Sequence, residues 1–348
     1  MASIDPDGKI PWLSAEIGTS LRSPYNLIAG IGDDDCAVLD LAQDSILVAT
    51  TDYVNANPIM LTLAIGSYFE LGRYLVNTSL ADLCGSGAIP VAVLTSIMWD
   101  RAKSEAEFEQ LMLGARAAAT AASAAIVGGD TKLSSRAAYC AMGIGTAETQ
   151  SHLFLKARAL PGDGVWVSGN IGSCAAAVYG WDQQVSNEEW LEWAREAMTN
   201  PTLPLGLARE ASALAMGAAG TDLSDGLGSD LTGLCDTSRV GVEIAADAIP
   251  VDPHVTVLSA RLGVPSYAFA FTVGGDLQFV LCAGERYSSH LDALGLVRIG
   301  TIHPDPTHRK LVGTTGALTE LSAAGHRDVR AMTFRDEVGH LLQLQGFM

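Results

Sequence analysis

Three acidic segments, far apart in the chain, limit what it can fold into more than any other feature. They are Ile31-Gly32-Asp33-Asp34-Asp35, Gly128-Gly129-Asp130-Thr131 and Asp222-Leu223-Ser224-Asp225-Gly226. Each sets a carboxylate beside glycine, a hydroxyl or another carboxylate. Carboxylates crowded in this way repel one another unless a positive charge sits between them. Mg²⁺ suits that position, because it takes oxygen ligands and reaches protein through a few carboxylates plus substrate phosphates. A fold that gathers the three segments would build a Mg²⁺–nucleotide site from distant parts of one chain. Taken singly, each segment is a turn, since Asp tolerates turn geometry and Gly supplies positive φ. Their combination is what favours a ligand site.

Acidic positions recur where elements begin or end: Asp33 to Asp35, Asp52, Asp82, Asp130, Asp222 and Asp225. Strand ends present ligands into a shared cleft from a rigid base. Ser45 to Thr51 is a β-rich run with Asp52 at its end. Leu71 to Gly87 has apolar residues at helical spacing, and 89–99 reads as a buried strand. Ser104 to Ala125 is an Ala-rich helix opening on a capping box, Ser104 with Glu107. Ile126-Val127 is expected to end a strand and lead into the Gly128–Thr131 segment. Strands are also expected at 139–145, 165–168, 240–244, 269–273 and 279–282, and helices at 174–178 and 203–216. A further helix is expected to follow from the acidic motif at Asp222, through Cys235. Strands and helices alternate in both halves, so the class is α/β or α+β.

Glycines 128, 129, 169 and 172 permit close backbone approach to phosphate oxygens. Thr51, Thr131 and Ser224 offer hydroxyls as secondary ligands, and Lys132 is the one lysine inside a candidate motif, where it can neutralise a phosphate or simply be solvated. There is no GxxxxGK[ST] loop and no GxSxG elbow, so neither a Walker site nor a serine-hydrolase site is present. The seven histidines make no metal-type pair; His303 and His308 flank prolines 304 and 306 and read as a loop. Six scattered cysteines form no CxxC pair, which disfavours zinc and leaves them as reduced, mostly buried residues.

At 348 residues the chain suits two domains, read as 1–150 and 151–348. A formal charge of −18 argues against a nucleic-acid partner, which needs a basic face. No apolar stretch is long enough for a membrane span, and no secretory signal is visible, so the cytoplasm is the expected location.

The order of motifs resembles thiamine-monophosphate kinase and its superfamily, which includes aminoimidazole ribonucleotide synthetase, selenophosphate synthetase and the ATP-dependent carbamoyl dehydratase of hydrogenase maturation. The matching pieces are Ile31-Gly32-Asp33-Asp34 with Ala37-Val38-Leu39, and Thr50-Thr51-Asp52. Leu80-Ala81-Asp82-Leu83 follows with Gly87-Ala88-Ile89-Pro90, then Gly128-Gly129-Asp130-Thr131. Pro161-Gly162-Asp163 with Val167-Ser168-Gly169, and Asp222-Leu223-Ser224-Asp225-Gly226-Leu227 with Ser229-Asp230-Leu231, complete the series. Six pieces in order are specific where any one is weak.

This resemblance implies a two-domain fold: N-terminal α/β domains pairing into a dimeric β-barrel, and a C-terminal α+β domain completing the cleft. It implies ATP and Mg²⁺ as cofactors, a small-molecule phosphoryl acceptor, and a homodimer. Metal ligands would come from Asp33, Asp34, Thr51, Asp52, Asp82, Asp130, Asp222 and Asp225, with Asp130, Asp222 and Asp225 catalytic. Gly128, Gly129, Thr131, Lys132, Gly169 and Ser224 would hold the nucleotide.

The departures fall mainly on the acceptor side. Where the kinases have Gly-x-His-Phe after Thr-Thr-Asp, this chain has Asn57-Pro58-Ile59-Met60. Their Gly-Gly-Glu-Asp-Tyr-Glu becomes Gly274-Gly275-Asp276-Leu277-Gln278-Phe279, and Ser173 replaces an acidic residue. The family's aromatic Gly-Tyr segment is not visible in 339–348. The dehydratase branch carries its substrate on a C-terminal cysteine, and this sequence ends Gln345-Gly346-Phe347-Met348. A kinase with an altered acceptor is the leading expectation. ATP-driven activation of an amide or carbonyl oxygen, and nucleotide binding without catalysis, are the alternatives.

Overall fold

The computed structural model describes residues 26–29, 34, 36–40, 46–55, 58–182, 187–313, 316–325 and 334–347. Two mixed sheets organise them. The first has the order β1-β2-β3-β6-β4-β5, from β1 (Asn26–Ala29), β2 (Ala37–Asp40), β3 (Ile46–Val54), β4 (Ile89–Asp100), β5 (Ala125–Ser134) and β6 (Ala138–Ala147). Only β4 and β5 pair in parallel, through a helical crossover; the other neighbours are antiparallel.

A short α1 (Ile59–Thr62) precedes α2 (Tyr68–Gly85) and α3 (Glu105–Ala121). Both long helices open on capping boxes, Ser67 with Glu70 and Ser104 with Glu107, each satisfying N–H groups that the first turn leaves unpaired. In α2 the buried residues Leu71, Leu75, Val76, Leu80 and Leu83 recur at helical spacing. They cover one face of the first sheet, against Val48, Val93, Ile97, Tyr139 and Ala141.

The second sheet has the order β13-β12-β9-β11-β7-β10-β8. Its strands are β7 (Gly164–Val167), β8 (Ala219–Asp222), β9 (Gly241–Ala245), β10 (Phe279–Ala283), β11 (Val297–His303), β12 (Arg309–Val312) and β13 (Leu318–Glu320). The helices of this half are α4 (Ser173–Asp182), α5 (Glu188–Thr199), α6 (Leu205–Ala213), α7 (Leu227–Ser238), α8 (Pro253–Leu262), α9 (Ser288–Leu294) and α10 (Phe334–Leu344). Period-two alternation divides the core: Val165 and Val167 pack with Leu227, Leu231 and Leu234 of α7, while Trp166 packs on the other face with Ala208, Ala211 and Leu291.

Two local expectations fail. The stretch expected as a strand at 269–273 instead begins in the last turn of a 3₁₀ helix, Ser266–Phe271, whose Phe269 and Phe271 are buried. A short apolar run has no period to separate the two. The Gly128–Thr131 segment is not a loop after a strand end at Val127, because β5 runs on to Ser134. A bulge shifts its register against β4 between Val93 and Leu94, and a Cβ on Gly129 would stand 2.2 Å from the Thr95 carbonyl oxygen. Glycine serves there for close strand approach rather than for a turn.

Candidate active site

Asp52 sits near the end of β3, its side chain on the same face as Thr50 two residues earlier. Thr50 Oγ1 donates to Asp82 Oδ2, so a buried hydroxyl joins β3 to the inner side of α2. One turn further, Gly85 at the end of α2 packs on the end of β8, where a Cβ would lie 2.3 Å from the Asp222 backbone nitrogen. That contact brings Asp222, the last residue of β8, against the first half of the chain. Asp82 and Asp222 both lie near Cys84; burial and these two carboxylates push its thiol up, so it stays protonated. The cysteine is a buried packing residue, as its sequence context suggested.

These elements enclose a cavity of 680 Å³, lined by Asp52, Tyr74 and Thr78 from the first half and by Cys174, Asp222 and Ser224 from the second. Its walls are apolar, with Met60, Leu63, Met198 and Leu277 among them. The volume is ordinary for a small-molecule site. Asp222 is 7% exposed, and the carboxylates of Asp52 and Asp222 are the charged groups of the lining. Tyr74 carries its phenol into the same region. Burial raises its pKa, and Cys174, Asp52 and Asp276 nearby act in the same direction, so it is a neutral hydroxyl at pH 7. Sequence periodicity assigns Tyr74 to a helix but gives no signal for this role.

The pleat of the first sheet separates the other expected ligands. Thr51 faces away from Asp52, with its Oγ1 3.2 Å from Cys140 Sγ. Tyr53, Cys140, Ser96 and Asp130 form one cross-strand row, while Asp52, Ala141, Thr95 and Gly129 form the next. Neighbouring rows point to opposite faces, so Asp130 stands on the outward face and Asp52 on the inward one. Three strand spacings of about 4.8 Å also put β5 about 14 Å from β3. Within one chain, therefore, Asp130 does not join Asp52 and Asp222. It pairs at 3.0 Å with Lys132, the two side chains 65% and 71% exposed. Gly128 and Thr131 are exposed on the same edge strand.

The remaining candidates have local partners. Asp34 Oδ2 accepts from the Lys156 backbone N–H at 3.0 Å, which ties it to the 156–158 turn. Asp33 lies outside the described residues. Ser224 lines the cavity, whereas the half-buried Asp225 belongs to the turn before α7, its N–H bonded to Asp230 Oδ2 at 3.0 Å. The helix expected to continue from the acidic motif starts at Leu227, directly after Gly226, and runs to Ser238.

Gly169 does not face the cavity; a Cβ there would meet Gln278 Oε1 at 2.8 Å. The start of α4, which a phosphate could otherwise occupy, is filled by Asp276. Its carboxylate accepts from the Gly172 N–H at 2.6 Å and the Cys174 N–H at 2.7 Å. Burial raises this carboxyl to about 6, against the backbone N–H groups that favour its anion. The Gly274-Gly275-Asp276 run carried a weak motif signal and no sign of the cap.

Among the described residues, no three His, Cys, Asp or Glu side chains form a ready-made metal cluster. Two carboxylates opening on one cavity fit a hard cation that takes its other ligands from water and phosphate. None of the described helices is long and apolar enough to cross a membrane.

Comparison with known proteins agrees with this architecture. The family described as AIR synthase related protein, N-terminal domain, matches residues 33–147. Thiamine-monophosphate kinase of Methanospirillum hungatei is 27% identical over 270 residues, covering 77% of this chain and 85% of that protein. Carbamoyl dehydratase HypE of Rhizobium leguminosarum is 28% identical over 228 residues, covering 63% and 61%. The solved structure of AaThiL complexed with AMPPCP and TMP superposes with a TM-score of 0.72 at 21% identity, over 90% of this chain and 94% of that one.

Proposed function

This chain is a thiamine-monophosphate kinase-like member of the aminoimidazole ribonucleotide synthetase superfamily, and we propose that it is a Mg²⁺- and ATP-dependent phosphotransferase with an altered small-molecule acceptor. The observation that carries this reading is the meeting of Asp52 and Asp222, from two different sheets, in one apolar cavity. Asp52 and Asp222 would hold Mg²⁺ from opposite walls, with Asp82 behind them fixed by Thr50. When bound, the cation supplies positive charge against the phosphoryl oxygens. In the transfer, an acceptor oxygen bonds to the γ-phosphorus as the bond from phosphorus to the β–γ bridging oxygen breaks, and ADP leaves with that oxygen. The chain's own work is positioning: the apolar walls exclude water, and the two carboxylates fix the end of the cavity where the phosphates must lie. Residues 1–150 and 151–348 act as the two domains that supply one carboxylate each.

A homodimer completes the arrangement. Its support is the outward face of the first sheet, where Tyr53 is 62% exposed beside Met98, Met142 and Ile144. Two such faces packed together would form the barrel expected from the resemblance and bury more than about 2,000 Å². Asp130 and Lys132, exposed on that same face, would then serve the partner's cleft rather than their own.

Isothermal titration with AMPPCP tests the site. Binding should need Mg²⁺ in the wild type and should weaken at least tenfold in Asp52→Asn and in Asp222→Asn. Equal affinity with and without the metal, or in both variants, would overturn the assignment. Thiamine monophosphate is the reference acceptor for turnover, and sedimentation equilibrium at micromolar concentration tests the dimer.

A further inference from the structure

Leu277 has a backbone conformation that leucine rarely adopts. Its φ is +56°, in the left-handed region, where a Cβ crowds the following carbonyl oxygen. Among the described non-glycine residues with positive φ, it is the one that lines the cavity. Both neighbours are anchored. Asp276 caps α4 through the Gly172 and Cys174 N–H groups. Gln278 donates to the Thr202 carbonyl at 3.0 Å and accepts from Ser168 Oγ at 2.8 Å. The leucine is thus held in place from both sides, and its side chain is 8% exposed in the cavity wall. A strained conformation persists where the surroundings over-determine it, and such positions gather at ligand sites. A short polar side chain such as asparagine tolerates that φ far better than leucine does.

The rest of the lining agrees with the leucine. Among the described residues, no lysine, arginine or histidine lines the cavity, and Val54, Met60, Leu63, Met198 and Val273 extend the apolar wall. Methionine adapts its shape to rings and branched chains. Taking a fixed charge out of water against such a wall carries a desolvation cost that an uncharged body avoids.

The geometry points to Leu277 as the residue that sets acceptor specificity: the cavity takes a molecule with an uncharged ring or branched hydrocarbon body, presenting one phosphate at the Asp52–Asp222 end. This rests on the phosphotransferase reading and narrows its acceptor. With Asp52 and Asp222 already offset by the cation of that reading, thiamine monophosphate, whose thiazolium carries a fixed positive charge, is a poor fit to the apolar remainder of the wall.

The probe is benzyl phosphate, titrated into wild-type protein with Mg²⁺, alongside inorganic phosphate and thiamine monophosphate. Benzyl phosphate should bind at least tenfold tighter than inorganic phosphate and tighter than thiamine monophosphate. Leu277→Asn should lose that advantage, with its melting temperature held or raised because asparagine relieves the backbone, and Leu277→Met should retain it. Benzyl phosphate binding no tighter than inorganic phosphate, or unchanged in Leu277→Asn, would overturn the proposal. Wild-type AMPPCP binding is read on the same preparations. Its loss beside intact benzyl phosphate binding contradicts the phosphotransferase reading alone; the converse contradicts the acceptor assignment alone.

Discussion

Gly85 lies so close to Asp222 that any Cβ on the glycine would stand 2.3 Å from the aspartate's backbone nitrogen. This contact between the end of α2 and the end of β8 sets the separation of the two halves of the cleft. Gly85→Ala must push β8 away, and overpacking of this kind costs about 1–3 kcal/mol. Urea unfolding should show that loss. Mg²⁺-dependent AMPPCP binding, measured where the variant is still folded, should fall by more than tenfold, because the displaced backbone carries a carboxylate. Unchanged binding in a folded variant would mean that the helix end does not position Asp222.

Asp52 and Asp222 act on one ligand, so their losses should not add. Each Asn variant removes a charge and keeps the shape, and each alone should reduce turnover by orders of magnitude. The double variant should be scarcely worse than either, as groups that work as a unit behave. Additive losses in steady-state kinetics would assign them to separate tasks.

Asp130→Asn separates a shared site from a self-contained one. The side chain is exposed, so stability should change by no more than about 0.5 kcal/mol. Turnover should nevertheless collapse. If Asp130 serves the partner's cleft, mixing Asp130→Asn with Asp222→Asn subunits should restore activity, since each heterodimer then has one intact site. Random exchange gives roughly one quarter of wild-type sites. Collapse with no recovery after verified subunit exchange would place Asp130 in its own subunit's cleft, and unchanged turnover in the single variant would place it outside the site.

The capping box of α2 predicts a pH effect. Burial opposes the Glu70 anion, but hydrogen bonds from the Ser67 hydroxyl and N–H outweigh it and hold the carboxyl below its ordinary value. A depressed folded pKa gives stability that is present above the ordinary glutamate value of about 4.3 and is lost as pH falls through the lower folded value. Glu70→Gln should therefore be less stable than wild type at pH 7, and the gap should shrink near pH 3. A gap independent of pH would mean that the charge adds nothing to the cap.

Much of this was legible in the sequence, and the failures share a cause. Ser104 and Glu107 marked the start of α3 because capping is a local contact. The strand at 89–99 was marked by its apolar β-branched run, and the one at 279–282 by an apolar run following the Gly274-Gly275-Asp276 turn. The pleat was not legible: Thr51 and Asp52 are neighbours in sequence and opposites in space. Asp130 follows two glycines that signal a turn, yet these serve a close strand pair. The cap that Asp276 places on α4 spans about a hundred residues, and Tyr74 reaches the cavity through the packing of a helix whose pattern says only which face is buried. Short-range chemistry is written in the chain, while the choice of face and of distant partner is made by the sheet.

The most direct measurement follows the γ-phosphate of labelled ATP through a turnover with Mg²⁺ and an acceptor panel that includes thiamine monophosphate and benzyl phosphate. A phosphotransferase leaves one label bound covalently to the acceptor for every ADP formed, and neither product should appear in Asp222→Asn. Label released as inorganic phosphate in step with a dehydrated or cyclised product would contradict it and favour oxygen activation. Tight Mg²⁺-dependent ATP binding with no ADP from any acceptor would contradict it in favour of a nucleotide-binding protein.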